Sequence, residues 1–336
     1  MTLKKPGRRY RVALVGCGAI AELGHLPSLL KHSRFELVAT CDVRAERAKL
    51  LAQKAGGIEF ITDHRALLDR PGVDAVVLAL HPEHSVNVAI EFLKHGKPVL
   101  DEKPLATCME DGRRLQRAVK KTGVVYQLGF VFRYCEMVRR VGEIVRRIGA
   151  PALFRAAIYD ERLDRSNTTH FRMMQQIFRN SSSVTHEGSH VVDYFGLWNP
   201  SPVKRVSAVA MKTAGDFAGA NFWCAQIQTL NGSTLEMEIG HMLPDYPRCT
   251  IAITGPGGSL ELDFFAGTGN FRHRGRAEKL RIQPLKQDWR RQLDAFAKSM
   301  DHGRAFGATV EDGLHALAVT LACEQSAKTG KVIKLP

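Results

Sequence analysis

Short apolar runs alternate with amphipathic stretches through residues 1–130. VALVG (12–16), FELVATC (35–41), DAVVLAL (74–80), KPVLDE (97–102) and VVYQLGF (124–130) are nearly continuous in aliphatic and β-branched side chains, the pattern of strands buried on both faces. Between them lie RAERAKLLAQKAGG, HSVNVAIEFLKHGK and CMEDGRRLQRAVKKTG, each closing in or near glycine, as helices do when they end in a left-handed cap. This alternation predicts a parallel sheet covered by helices on both sides and joined by right-handed crossovers, a doubly wound α/β fold.

From about residue 150 the period changes. FRAAIYDE, VKRVSAVAMK, NFWCAQIQTL, STLEMEIGHM, RCTIAITG and GSLELDFF read as strands, many of them alternating, joined by NG or GPGG turns. They predict an open, mostly antiparallel sheet with one packed face. Two helices, WRRQLDAFAKSMDHG and TVEDGLHALAVTLACEQSAKTG, close the chain. The 336 residues suit two domains of about 100–200 residues each. The division falls at residues 1–133 for the doubly wound domain and 134–336 for an α+β domain, its last helix and strand able to pack back on the first.

Composition narrows the class. Hydrophobic content of 44% and charged content of 24% are those of a globular protein, and no apolar run is long enough for a bilayer. The basic start MTLKKPGRRYR leads straight into the first strand, without the apolar stretch of a secretory peptide. The seven cysteines are odd in number, irregular in spacing and free of C-x-x-C, which fits small buried hydrophobes in a reducing cytoplasm. The net charge of +14 would attract anions. Its densest cluster, RRVGEIVRRIG (139–149), repeats at helical spacing and reads as a solvated helix face. No nucleic-acid motif accompanies it, and neither a nucleic acid nor a membrane is expected as partner.

Residues 16–21, G-C-G-A-I-A, form G-x-G-x-x-A directly after a strand and at the start of a helix. Gly16 permits the tight turn, Gly18 lets backbone approach a pyrophosphate, and Ala19 and Ile20 open the helix on which it rests. Asp42 ends the second strand, close to the interval of about 20 residues at which a carboxylate meets the adenosine ribose. A carboxylate there repels a 2′-phosphate, so NAD is favoured. Arg44 and Arg47 lie close by and keep NADP open.

GKPVLDEKPLA (96–106) resembles the E-K-P signature of the glucose–fructose oxidoreductase / inositol dehydrogenase / rhizopine catabolism (Gfo/Idh/MocA) family. GFVFRY (129–134), SSSVTHEGSHVVD (181–193) and SAKTGKVIKLP at the C-terminus are similar to further family segments, in the family's order. The resemblance implies a Rossmann domain, an open sheet that carries substrate and oligomer contacts, a nicotinamide cofactor, and a sugar or polyol substrate in a homodimer or homotetramer. By that resemblance Lys103 sits near the nicotinamide and hydrogen-bonds the reacting oxygen, held by Glu102 and Pro104, and His190 is the acid/base. A histidine titrating near neutrality suits proton transfer from a hydroxyl, and an ammonium suits a developing alkoxide. His81 and His84, in HPEH, stand close to a family histidine on the cofactor side. Arg133, Tyr159, Arg172 (in TTHFRMM, read as a loop) and Asp193 are expected at the substrate.

One departure stands out. The resembled pattern carries Asp four residues before its histidine; this chain has His186, which on a helix would share a face with His190 and could orient it. The letters HEGSH (186–190) also spell H-E-x-x-H, a zinc-protease signature. Gly188 weakens the helix such a site needs by about 1 kcal/mol, and the metzincin third histidine is missing. No metal is assigned on these grounds. An NAD-dependent glycoside hydrolase of the same fold and a non-catalytic nucleotide sensor are the alternatives to a dehydrogenase.

Overall fold

The computed structural model describes residues 8–180, 182–244 and 247–336. The chain divides into two compact units, Met1–Val131 with Asp288–Leu314, and Phe132–Gln287 with His315–Pro336.

In the first unit six strands, β1 (Tyr10–Val15), β2 (Phe35–Cys41), β3 (Glu59–Ile61), β4 (Ala75–Leu78), β5 (Val99–Asp101) and β6 (Tyr126–Leu128), lie in the order β3-β2-β1-β4-β5-β6. Every neighbouring pair is parallel. This is the doubly wound order, with its reversal between β1 and β4. Val12, Ala13, Leu14, Val76, Val77 and Leu78 are fully buried, so these strands admit no polar face. Helices α1 (Leu26–Lys31), α2 (Ala45–Lys54), α3 (Pro82–Lys94) and α4 (Met109–Thr122) make the crossovers. Helix α9 (Trp289–His302) also belongs to this unit, and its Phe296 stacks on Phe35 with centroids 6.0 Å apart. Burying a phenylalanine contributes roughly 1.5–3 kcal/mol. Gly24 permits the approach of α9, since a Cβ there would lie 2.7 Å from the Trp289 ring.

The second unit holds a nine-stranded sheet of β7 (Leu153–Arg162), β8 (Val203–Met211), β9 (Phe222–Thr229), β10 (Thr234–Leu243), β11 (Arg248–Gly255), β12 (Gly258–Asp263), β13 (Thr268–His273), β14 (Arg276–Arg281) and β15 (Ile333–Lys334). Its order is β14-β13-β12-β11-β7-β10-β9-β8-β15. All pairs are antiparallel except β7 with β10. Helices α5 (Glu136–Ile148), α6 (Thr168–Asn180), α7 (Ser183–His186), α8 (Gly188–Trp198) and most of α10 (Val310–Thr329) complete the unit. Phe154 of β7 meets Phe195 of α8 edge-on at 5.0 Å, so one face of the sheet is covered by helix. The other face carries Arg155 bonded to Glu236 at 2.8 Å, both exposed. The charge run 139–149 falls on α5: Arg139 and Arg140 bond Glu136 and Glu143, while Val141, Ile144, Val145 and Ile148 are buried.

Two local expectations are corrected. TTHFRMM is not a loop but the first half of α6. The HEGSH segment is not one helix: α7 ends at His186 and α8 begins at Gly188, with Glu187 between them.

Candidate functional site

Because every strand of the first sheet runs the same way, the ends of β1, β2, β4 and β5 bring their following loops to one edge. Gly16 follows β1 with φ +89°; a Cβ on it would lie 2.3 Å from the Ala79 carbonyl oxygen that follows β4. Only glycine fits that turn. At Gly18 the situation is opposite, with nothing within 4 Å of a Cβ position, so the backbone there is open to a bulky ligand. Ala19 and Ile20 are exposed at the start of the helical stretch 19–31, which widens to a π-turn at Ala21–His25. Asp42 does not simply face solvent: its carboxylate accepts from the amide of Cys17 at 2.8 Å and from that of Arg44 at 2.9 Å. It thereby ties the end of β2 to the glycine turn. These features fit a dinucleotide, with the Gly18 opening for its diphosphate and Asp42 within the same loop system for its ribose. His81 precedes α3 and His84 sits in its first turn, both exposed at the same edge. The Cys17 thiol, pushed up to about 12 by burial and then by Asp42, is no nucleophile.

At the end of β5 the residues are held from below. Glu102 is buried; its Oε1 accepts from His25 Nε2 at 2.9 Å and its Oε2 from the Lys103 amide at 3.3 Å. The His25 ring stands edge-on to Trp289 at 4.6 Å. A side chain on Gly129 would collide with the Glu102 carboxylate. Asp101, beside it, is fully buried and receives hydrogen bonds from Ser85 and Tyr126. Burial raises its carboxyl to about 7 against the pull of those two donors.

The second unit collects a separate group. His190 is buried on α8 with its ring edge-on to Phe132 at 4.7 Å. Asp193, one turn on, receives Arg133 Nε at 2.8 Å to both of its oxygens, so the half-buried Arg133 forms an ion pair with the buried Asp193. Ser182 caps α7 by accepting from the Thr185 amide, and the Thr185 hydroxyl donates to Glu324 at 2.7 Å. His186 turns to its neighbour: Nδ1 donates to Glu187 Oε1 at 3.0 Å. Tyr159 lies elsewhere. Strand alternation sends it with Arg155 to the face opposite α8, where its hydroxyl donates to Glu238 at 2.9 Å and Arg248 lies over its ring. Its neighbour Asp160 is turned instead to the helix-covered face, in register with His241 of β10. Arg172 is exposed on α6.

Two family models match this chain, one described as an oxidoreductase family with an NAD-binding Rossmann fold over residues 10–130, the other as its C-terminal alpha/beta domain over residues 179–335. The chain belongs to the Gfo/Idh/MocA oxidoreductase family. Among curated family members, inositol 2-dehydrogenase 2 of Saccharopolyspora erythraea is 29% identical over 95% of this chain and 93% of its own. The scyllo-inositol dehydrogenase of Lactobacillus casei, solved with NAD(H) and scyllo-inositol, superposes with a TM-score of 0.83 at 18% identity, covering 97% of this chain and 99% of its own. An oxidoreductase of Agrobacterium radiobacter, solved with NAD+, L-tartaric acid and magnesium, gives 0.85 at 17% identity, covering 97% and 98%.

Two residues of this Gfo/Idh/MocA chain escaped sequence reasoning. His25 was missed because it looks like any helix residue; only its place one turn into the helix after the glycine turn marks it. His241 was missed because STLEMEIGHM was read for strand period alone, although a histidine at an inward position of a buried strand is itself a signal.

Proposed function

We propose that this protein is an NAD(P)-dependent dehydrogenase or reductase acting on a ring hydroxyl or ketone of a sugar, cyclitol or sugar derivative, with NAD favoured over NADP. The observation that carries the reading is the convergence of the Gly16–Gly18 turn, Asp42 and Lys103 on one edge of a parallel sheet, where such sheets take their ligands. The inositol dehydrogenases among its relatives support the substrate class.

When bound, the nicotinamide supplies the acceptor or donor of hydride. The chain supplies the rest. Lys103, its amide tied to Glu102 and Glu102 tied to His25, offers an ammonium to the substrate oxygen as negative charge develops on it. His190 takes the hydroxyl proton in the oxidative direction and returns it in the reductive one. The Arg133–Asp193 pair fixes the same face of α8 that carries His190. His186 stands on the preceding helix as a positioning residue of that segment. His81 and His84 serve the cofactor edge, and Arg172 the substrate.

Self-association as a homodimer or homotetramer through the open face of the nine-stranded sheet is part of this reading, supported by the two signs of charge on that face. A cytoplasmic location is supported by seven cysteines outside any disulfide; among the described residues no helix is long and apolar enough to cross a membrane.

The test is a panel of inositols, sugars, uronic acids and nucleotide sugars, followed by nicotinamide absorbance with each coenzyme. On the substrate found, His190→Ala should lose on the order of 10²–10⁴-fold in kcat while coenzyme affinity is kept. Full activity in that variant refutes the assignment.

A further inference from the structure

The helix break at Glu187 has a chemical result. One ligand atom each from His186, Glu187 and His241 lie within 4.8 Å of one another. The geometry points to a divalent transition-metal site of two imidazoles and one carboxylate, formed by His186, Glu187 and His241 of the second unit. This goes beyond the dehydrogenase reading and does not depend on it.

The site is assembled from two directions. Ser182 caps α7, so the last turn of that helix delivers His186 at its end, and Glu187 follows in the gap before α8. His241 arrives from β10, fully buried. Its backbone is clamped on both sides by the buried Asn221: the His241 amide donates to the Asn221 carbonyl at 2.8 Å, and Asn221 Nδ2 donates to the His241 carbonyl at 2.9 Å. Met242, next along, has φ +55°, a conformation a non-glycine residue adopts only when its surroundings impose it. The ring of His241 stands edge-on to that of His186 with centroids 6.5 Å apart, and edge-on to Phe178 at 6.3 Å.

Donor chemistry selects the ion. Imidazole and carboxylate together suit zinc and its first-row neighbours; magnesium and calcium take oxygen alone. Ligands at about 2.0–2.2 Å from a tetrahedral zinc stand roughly 3.3–3.6 Å apart, so the present cluster closes around an ion by modest side-chain rotation. Its His186 Nδ1–Glu187 Oε1 contact is already 3.0 Å. The side chain of His186 is 30% exposed and that of Glu187 14%, which leaves an ion a way in from solvent. Three protein ligands leave one position of a tetrahedron for water or an oxygen of a small molecule, the arrangement of zinc sites that do chemistry.

The site is not the H-E-x-x-H motif. There the second histidine is the one four residues on, and the intervening glutamate stays off the metal as a base. Here Glu187 is a ligand, and the partner histidine comes from a strand far along the chain. His190 stays against Phe132. The motif's letters point to the right first ligand and the wrong second one.

The experiment uses the full chain, stripped with a chelator and titrated with zinc chloride against a chromophoric competitor, and separately with cobalt chloride read by visible absorption. One zinc per chain is expected, together with a cobalt ligand-field band of tetrahedral intensity. Loss of even an outer partner of a metal site costs 10–100-fold in affinity, so His186→Phe, Glu187→Gln and His241→Asn should each weaken zinc by at least about 100-fold, while His302→Ala, distant in sequence on α9, should not. Thermal melts of each variant separate loss of fold from loss of ligand, and the first two changes keep the test alive should His241→Asn disturb its clamp. Absence of stoichiometric zinc, or zinc binding unchanged in Glu187→Gln and His186→Phe, overturns the proposal. NAD titration of the same stripped protein reports on the dehydrogenase reading alone, so the two can fail separately.

Discussion

Replacing Asp101 by asparagine should change how the stability of the first unit depends on pH. Asp101 is fully buried at the end of β5, accepts hydrogen bonds from Ser85 and Tyr126, and has its carboxyl raised from 3.8 to about 7, with burial the largest cause. A carboxyl raised on folding favours the protonated form, so its contribution to stability is complete below the unfolded value and disappears as pH rises through the folded one. A rise of about 3 units at 1.36 kcal/mol each is on the order of 4 kcal/mol, lost between about pH 4 and a little above pH 7. Asparagine mimics the neutral acid in shape and carries no such term. It rearranges the two incoming hydroxyl bonds at a fixed cost of about 1–3 kcal/mol, independent of pH. The difference in unfolding free energy, wild type minus Asp101→Asn, should therefore fall by up to about 4 kcal/mol from about pH 4 to about pH 8. Urea unfolding at a series of pH values, with hydrogen exchange of the peptide spanning residues 99–105 as the local probe, measures it. A difference that stays flat, or that grows in favour of wild type as pH rises, would show that the Ser85 and Tyr126 donors outweigh burial and that the carboxyl is ionised throughout.

Two further changes bear on the cofactor edge. Gly16→Ala forces a Cβ to 2.3 Å from the Ala79 carbonyl oxygen at φ +89°; the left-handed backbone alone costs about 1–2 kcal/mol, so the variant should melt earlier and lose dinucleotide affinity, and an unaltered melt would contradict the packing described. Asp42→Ala removes the acceptor for the Cys17 and Arg44 amides, charge-assisted bonds of about 1.5–3 kcal/mol each, and should weaken NAD binding while raising the NADP-to-NAD affinity ratio, read by calorimetry with both coenzymes; an unchanged ratio would remove Asp42 from the ribose.

What the sequence could disclose followed from how far each signal reaches along the chain. Strands β1 and β4 were legible because burial on both faces leaves no polar residue in VALVG (12–16) or AVVLAL (75–80), and the glycine turn because its chemistry is confined to six residues. The β13–β14 hairpin was not: Thr268–His273 and Arg276–Arg281 form the sheet edge, with one buried residue each, so the period-two pattern is nearly absent and only the positive φ of Arg274 and Gly275 marks the turn. Helix α6 did carry its period, with Phe171, Met174 and Phe178 packed in one cluster, but its polar start TTH masked the onset. The site shows the same limit in its sharpest form. HEGSH invited a pairing four residues away, since local reasoning finds partners only within a helical turn. The sheet instead brings His241 to His186, and nothing within five letters encodes which strand lies beneath a helix end. That knowledge resides in the parallel pairing of β7 with β10, which turns the odd-numbered residues of β10, from Met237 to His241, toward the helices.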